Sequence, residues 1–184
     1  MTLLFISCGD NTFLPSTQLT KAEVYFPLHV GDQWQYAWDI NETNKDNYTV
    51  SVVGTTIFNN TKYFTLKGEF AVKKLDLPLW YMRVEDSRVY LYSNGKEYFD
   101  IDFDRMEVDT INKLTSYVAV SNKTIDITPG KFEGCVETAA YLSSIDAVPY
   151  RSFAPNVGMV SSVGEVLSLV LTYARINGKE YGRK

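Results

Sequence analysis

The feature that most constrains the fold of this chain is a series of short stretches in which apolar and polar residues alternate. The clearest stretch runs from residue 33 to residue 40. Its apolar side chains occupy every second position and so share one face: Trp34, Tyr36, Trp38 and Ile40. A period of two residues is typical of a β-strand with one buried face and one solvated face. The sequence therefore predicts a half-buried strand at this position.

Ten further stretches of this kind follow, and most are separated by turn residues. They span residues 48–53, 62–70, 79–85, 88–92, 96–103, 116–127, 132–143, 150–153, 159–163 and 166–176. The strongest turn signal is Asn94-Gly95, because this pair readily takes the two positive φ values of a type I′ hairpin. The pattern predicts a mainly β fold, an antiparallel meander forming an open half-barrel or a strongly curved sheet. At most one or two short helices are expected, and the candidate helix covers residues 104–114.

Length and charge exclude several classes of protein. The chain has 184 residues, which fits a single domain with a tail. Its net charge is -4, and it has no long run of Lys or Arg, so no nucleic-acid partner is expected. It also has no stretch of about 20 apolar residues, so no membrane-spanning helix is expected.

The first residues, MTLLFISCGDNT, differ in character from the rest of the chain. An apolar run ends in Ser7-Cys8, and a polar stretch follows it. This arrangement resembles the lipobox of bacterial lipoproteins, in which a small residue precedes the cysteine whose thiol accepts diacylglycerol. The resemblance implies lipid attachment at Cys8, with the membrane as partner. The alternative is a buried first strand with an ordinary free cysteine.

The lipobox interpretation also sets the expected domain limits. Residues 1–8 would be the remnant of a signal peptide, residues 9–21 a flexible tether and residues 22–184 a single β-rich domain. The apolar run is short for a leader and carries no Lys or Arg. We therefore expect the true start of the chain to lie upstream of Met1.

No catalytic residue, metal site or cofactor is predicted. His29 is the one histidine of the sequence, so any histidine-dependent nucleophilic site would have to use it. It stands just before the Val30-Gly31 turn, a position that favours a structural role. One histidine and one free cysteine do not make the three protein ligands of a zinc site without unusual help from carboxylates. We expect Cys135 to pack as a small buried hydrophobe rather than to pair with Cys8.

Three carboxylates stand at alternate positions of one segment: Asp100, Asp102 and Asp104. This pattern has two interpretations. Clustered carboxylates suit calcium, but Arg105 stands where a calcium-binding loop needs glycine. The favoured interpretation is a solvent-facing edge whose acidic side chains discourage edge pairing, with Ile101 and Phe103 turned inward.

The aromatic residues suggest a candidate ligand site. Trp34, Tyr36, Trp38 and Trp80 are predicted either to line a cavity for an apolar ligand or to form ordinary core. Aromatic side chains dominate many β interiors, which favours the core interpretation.

Three stretches together resemble a group of uncharacterised bacterial lipoproteins. They are residues 25–36 (YFPLHVGDQWQY), residues 129–136 (PGKFEGCV) and residues 153–160 (FAPNVGMV). The resemblance implies a lipid-anchored, β-rich domain in the cell envelope, facing the periplasm or the exterior, with the outer membrane favoured. It brings no catalytic residues. It suggests a half-barrel similar to that of the lipoprotein-localisation factors.

These observations favour a non-enzymatic function. We expect a membrane-anchored binding module for an apolar ligand or for an envelope partner. The alternatives are a structural subunit of a cell-surface assembly, or a hydrolase whose site the sequence does not reveal.

Overall fold

The computed structural model describes residues 18–39, 45–73, 77–105, 116–139, 150–164 and 168–183. Within these ranges the chain forms one helix, α1 (Lys21–Tyr25), and twelve strands. The first six strands are β1 (Gln33–Asp39), β2 (Lys45–Phe58), β3 (Thr61–Phe70), β4 (Trp80–Glu85), β5 (Arg88–Ser93) and β6 (Lys96–Asp102). The other six are β7 (Ser116–Ile127), β8 (Gly130–Ala139), β9 (Tyr150–Ala154), β10 (Gly158–Val163), β11 (Ser168–Ile176) and β12 (Lys179–Gly182).

The strands form a closed barrel. Each strand pairs with the next in chain order, and β1 also pairs with β11, so the first eleven strands make a ring. The pairings are antiparallel except between β6 and β7, where two residue pairs run parallel. The predicted mainly β fold, a curved and mainly antiparallel sheet, is confirmed. The β1–β11 pairing closes it into a barrel, where an open half-barrel was predicted.

Asparagine-containing turns set the lengths of several strands. Asn94-Gly95 takes positive φ values of 51° and 75°, as its sequence predicts. Asn177-Gly178 takes 48° and 79° in the same way and leads into β12, a strand that the sequence analysis missed. The turn after β2 is formed by Asn59-Asn60, both with positive φ. Strand β2 therefore continues to Phe58, beyond its predicted end at residue 53. A register shift after Val52 accommodates this longer strand.

The short helix α1 was also missed, although the sequence carries its signal. Thr20 and Glu23 form a capping box: the Thr20 hydroxyl accepts from the Glu23 amide at 3.3 Å, and the Glu23 carboxylate accepts from the Thr20 amide at 2.7 Å. Ala22 is fully buried, and its amide donates to the carbonyl of Asp86 in the β4–β5 turn. No helix in the described residues is long and apolar enough to cross a membrane. The candidate helix 104–114 lies, from residue 106 onward, outside the described residues.

Residues 25–36, 129–136 and 153–160, the three stretches singled out in the sequence, lie together near α1. The Tyr25 hydroxyl donates to the carbonyl of Gly134 at 3.0 Å. The Asn156 amide donates to the carbonyl of Val24 at 2.7 Å. Asn156 has a positive φ of 60°, as predicted for the turn between β9 and β10.

The core fills the barrel beside α1. Its largest fully buried side chains include Phe103, Phe153, Ile101, Leu171, Val52 and Val89. Cys135 is a free, fully buried thiol, so the prediction of a small buried hydrophobe is confirmed. Burial raises the pKa of the Cys135 thiol, which keeps it protonated and unreactive at neutral pH.

Candidate functional site: an apolar cavity inside the barrel

A cavity of about 480 Å³ lies inside the barrel next to the core. Aromatic rings from β1, β2 and β4 line it: Trp34, Tyr36, Tyr48 and Trp80. Aliphatic and thioether side chains complete much of the wall: Val50, Leu66, Met82, Leu91 and Met159. Phe26 and Pro27 line it where α1 leads toward β1. Two charged residues, Asp100 and Arg151, also belong to the lining.

The structure places three of the four predicted aromatic residues at this cavity. Trp34 and Tyr36 are also buried core residues. For these two residues, therefore, the cavity and the core interpretations both hold. Trp38 does not line the cavity. Its ring packs edge-on against Tyr48 and Phe70, with centroid separations of 5.7 and 4.6 Å. Its buried Nε1 has no hydrogen-bond partner among the described residues.

Hydrogen bonds to the backbone of β10 and its turn hold the two deepest rings. The Trp34 indole donates to the carbonyl of Val157 at 2.6 Å, and the Tyr36 hydroxyl donates to the carbonyl of Met159 at 3.1 Å. Burial raises the pKa of the Tyr36 phenol far above its usual range, and the nearby Tyr48 phenol adds to this shift. Tyr36 therefore stays protonated and remains a donor. Because both polar groups are satisfied by backbone, the rings can present apolar surface to the cavity.

Two glycines make room for these rings. A Cβ atom at Gly68 of β3 would collide with the Tyr48 ring and lie 3.0 Å from the Trp80 ring. A Cβ atom at Gly158 would lie 3.1 Å from Trp34 Nε1, and its φ of +96° is one that other residues rarely adopt. The shape of the cavity wall thus depends on glycine at both positions.

An ion pair forms the polar part of the cavity wall. The Arg151 guanidinium donates to both carboxylate oxygens of Asp100, at 3.1 and 3.2 Å, and also to the hydroxyl of Ser116. Asp100 lies on β6 and Arg151 on β9, and two strands separate them in the sheet order. The side chains are 22% and 26% exposed, so the pair is largely shielded from bulk solvent. A bidentate pair in such surroundings is geometrically specific.

The acidic segment 100–104, which begins on β6 and extends past its end, was predicted to face solvent, and for Asp100 and Asp102 this was wrong. Ile101 and Phe103 are buried, as expected. However, the β5–β6 register shifts between Val89 and Tyr90, so Asp100 stands in a bulge and joins the cavity wall. Asp102 is buried and accepts from the Ser87 hydroxyl at 3.2 Å, while Asp104 is exposed. Alternation alone could not reveal the bulge, and Arg151 was not singled out because its partner lies 51 positions away.

The remaining candidates lie elsewhere. His29 Nδ1 lies 3.0 Å from the carboxylate of Asp32, which is buried and also accepts from the amide of Asn177 at 2.7 Å. His29 therefore helps to fix the start of β1 and does not line the cavity. Among the described residues, no group of three or more His, Cys, Asp or Glu could hold a metal ion. The predicted lipid-attachment residue, Cys8, lies outside the described residues.

In comparisons with known proteins, no family model and no curated protein matches the chain. Solved structures with a similar fold include a protein from Bacteroides fragilis, provisionally named an exported protein with a YMCC-like fold. It has 14% sequence identity and a TM-score of 0.53, over 88% of this chain and 99% of that one. A protein from Parabacteroides distasonis, provisionally named a lipoprotein, has 12% identity and a TM-score of 0.50, over 84% of this chain and 98% of that one. At these identities the likeness shows a shared fold.

Proposed function

We propose that this protein is a lipid-anchored binding module of the cell envelope that holds the apolar part of a ligand inside its barrel. The observation that carries the proposal is the cavity of about 480 Å³ with its aromatic and aliphatic wall. Its volume falls within the range of roughly 300–1,000 Å³ typical of small-molecule sites. Such sites are mostly apolar with a few polar groups, and the Arg151–Asp100 pair fits that description.

The chemistry of the wall favours an alkyl or acyl chain. Each methylene group that moves from water into such a cavity contributes about 0.8 kcal/mol. The hydrogen bonds of Trp34 and Tyr36 fix the wall before a ligand arrives, which lowers the entropy lost on binding. The proposed role is a non-enzymatic one. Among the described residues of the lining the one carboxylate, Asp100, is engaged by Arg151.

The proposed location follows from the sequence and accords with the fold. The lipobox-like stretch ending at Cys8 would supply the anchor, and the polar residues after it would supply the tether. The two proteins of similar fold carry names that place them among exported proteins and lipoproteins, which supports export of this chain. We favour the outer membrane as the site of anchoring.

Binding can be tested with an uncharged fluorescent probe, N-phenyl-1-naphthylamine, whose emission rises in apolar surroundings. We expect saturable binding of one probe per chain. Val50→Phe, which fills part of the cavity, should weaken binding about tenfold or more. Val53→Phe is the matched control, because Val53 lies on the same strand and is exposed. Equal affinity in the two variants would contradict the assignment of the cavity.

The three tryptophans provide a second readout. Trp34 and Trp80 line the cavity and Trp38 does not, so an alkyl chain carrying bromine should quench the first two selectively. Variants that keep a single tryptophan, with phenylalanine at the other two positions, separate the signals. Strong quenching of Trp38 alone would place the ligand outside this cavity.

A further inference from the structure

The ion pair in the cavity wall suggests which ligands the cavity prefers. Building on the proposed binding function, we propose that the Arg151–Asp100 pair selects ligands with an uncharged, hydrogen-bonding head group over acids and amines that carry the same chain. A hydroxyl or a primary amide is the head group that this site fits. The cavity would then hold neutral amphiphiles, such as long-chain alcohols, acyl amides or acylglycerols.

The hydrogen bonds of the pair leave room for such a head group. Among described partners, Asp100 and Ser116 use three of the five N–H donors of the Arg151 guanidinium. The Asp100 carboxylate accepts one of these bonds on each oxygen, and a carboxylate can accept about four. A hydroxyl or amide both donates and accepts. It can therefore bond to the two partners at once without separating them.

Charge balance disfavours ionised head groups. The positive and negative charges of the pair lie about 3 Å apart and compensate each other, and the other described residues of the lining carry no charged side chain. A ligand carboxylate close enough to bond Arg151 would also lie close to Asp100, and two carboxylates that share a site repel. A ligand ammonium near Asp100 would be repelled by Arg151 in the same way. Either ion would also lose part of its hydration without gaining a free counter-ion.

Displacement of Asp100 by an acidic ligand is disfavoured for a structural reason. Strand β6 pairs with β7 at Ile101 and Asp102, and Asp100 lies outside that pairing. The contact with Arg151 therefore ties this part of β6 to β9 across the interior. A ligand that took over Arg151 would leave Asp100 unpaired in a largely apolar cavity, which is a costly state.

The test compares dodecanol, dodecanamide, dodecanoate and dodecylammonium as competitors of bound N-phenyl-1-naphthylamine, at neutral pH and below their micelle concentrations. We expect the alcohol and the amide to displace the probe at concentrations about tenfold lower than the two ions, which corresponds to about 1.4 kcal/mol. Equal potency of all four, or a preference for either ion, would overturn the selectivity while leaving the cavity function intact. If none displaces a bound probe, or if no probe binds, the proposed function itself fails.

A variant that removes the charge of Asp100 provides a second test of the selectivity. Asp100→Asn leaves Arg151 as an uncompensated cation, so dodecanoate should become a better competitor than dodecanol. Asp126→Asn is the matched control, because Asp126 is exposed on β7 and outside the cavity lining. It should keep the order found in the unaltered protein. An unchanged order in a folded Asp100→Asn protein would overturn the proposal, and if that variant does not fold, the series on the unaltered protein decides.

Discussion

The indole nitrogen of Trp34 lies 2.6 Å from the carbonyl oxygen of Val157, a residue 123 positions later in the chain. This hydrogen bond joins β1 to the turn between β9 and β10. Gly158, the next residue, makes the close approach of the indole possible. One side of the cavity wall thus depends on a contact between two segments that are far apart in the sequence.

Replacing Trp34 should lower the free energy of unfolding more than replacing Trp38, which lies on the same strand. Trp34→Phe leaves the Val157 carbonyl without its partner, which should lower the free energy of unfolding by about 1–3 kcal/mol. Trp38→Phe removes a buried nitrogen that has no partner among the described residues, so its loss should be clearly smaller. Trp34→Ala, which also opens space, should cost about 3–5 kcal/mol. Urea unfolding measures all three, and equal losses for the two phenylalanine variants would contradict the role of the hydrogen bond.

The close contact between Gly158 and Trp34 can be separated from the backbone preference of glycine. Gly158 and Gly31 have nearly equal φ values of +96° and +97°, but a Cβ atom at Gly31 meets nothing within 4 Å. Gly158→Ala should therefore be less stable than Gly31→Ala by about 1–3 kcal/mol, because it forces the Trp34 ring to move. Thermal unfolding of the two variants checks the difference. Similar melting temperatures would mean that the ring shifts freely.

Asp46 on β2 should make stability depend on acid pH. Its carboxylate accepts from the amides of Asn47, Val72 and Lys73, at 2.7, 3.0 and 3.2 Å. Burial acts to raise the pKa of Asp46, but these backbone donors outweigh it and the pKa lies below its usual 3.8. The stabilisation is therefore complete above the ordinary pKa and is lost as the pH falls through the lowered one.

The variant Asp46→Asn should lose less stability than the unaltered protein as the pH falls. The change removes the titrating group, while Asp126→Asn, at an exposed position, should keep the profile. Denaturant unfolding from neutral pH to about pH 2 tests the pair. Identical profiles for Asp46→Asn and the unaltered protein would contradict the assignment.

Truncation should reveal the contribution of the cap on α1. Deleting residues 1–17 should leave the melting temperature unchanged, in line with a tether. Deleting residues 1–20 also removes Thr20, whose hydroxyl and amide complete the capping box. Loss of such a cap costs about 0.5–2 kcal/mol, so this shorter protein should melt at a lower temperature. A large loss on the first deletion would show that residues before 18 belong to the folded domain.

Cys8 should decide where the protein resides. Expressed in a bacterium with a complete leader, the protein should partition with membranes and resist high-salt washing, because a lipid anchor does not depend on charge. Cys8→Ser should release it or block its processing, since the hydroxyl does not replace the thiol as acceptor. Cys135→Ser is the matched control and should still partition with membranes, because that thiol is buried. A soluble unaltered protein would refute the proposed anchor.

Much of the fold could be predicted, because its signals are local. Alternation located most of the strands, and Asn94-Gly95 marked its hairpin through the positive φ values that asparagine and glycine tolerate. The same signal at Asn177-Gly178, and the capping box at Thr20 and Glu23, were present in the sequence and were overlooked. These omissions were failures of interpretation, since each signal spans four residues or fewer.

The candidate site could be predicted only in part. The sequence named Trp34, Tyr36 and Trp80 as rings that either line a cavity or form core, and the structure places all three in the cavity lining. Trp38, named with them, does not line the cavity; its ring packs against Tyr48 and Phe70 beside the core, which accords with the core interpretation. Whether an inward-facing ring packs in the core or lines a cavity depends on the volumes of its neighbours inside the barrel.

The sequence by itself determined the local elements: period-two strands, asparagine turns and an aromatic inner face. Only the tertiary structure decided that β1 pairs with β11, that a bulge turns Asp100 inward and that Arg151 meets it across the barrel. The reason is physical. Backbone dihedral preferences and alternation act over a few residues, whereas strand closure, register and ion pairing depend on how distant segments fill a shared interior.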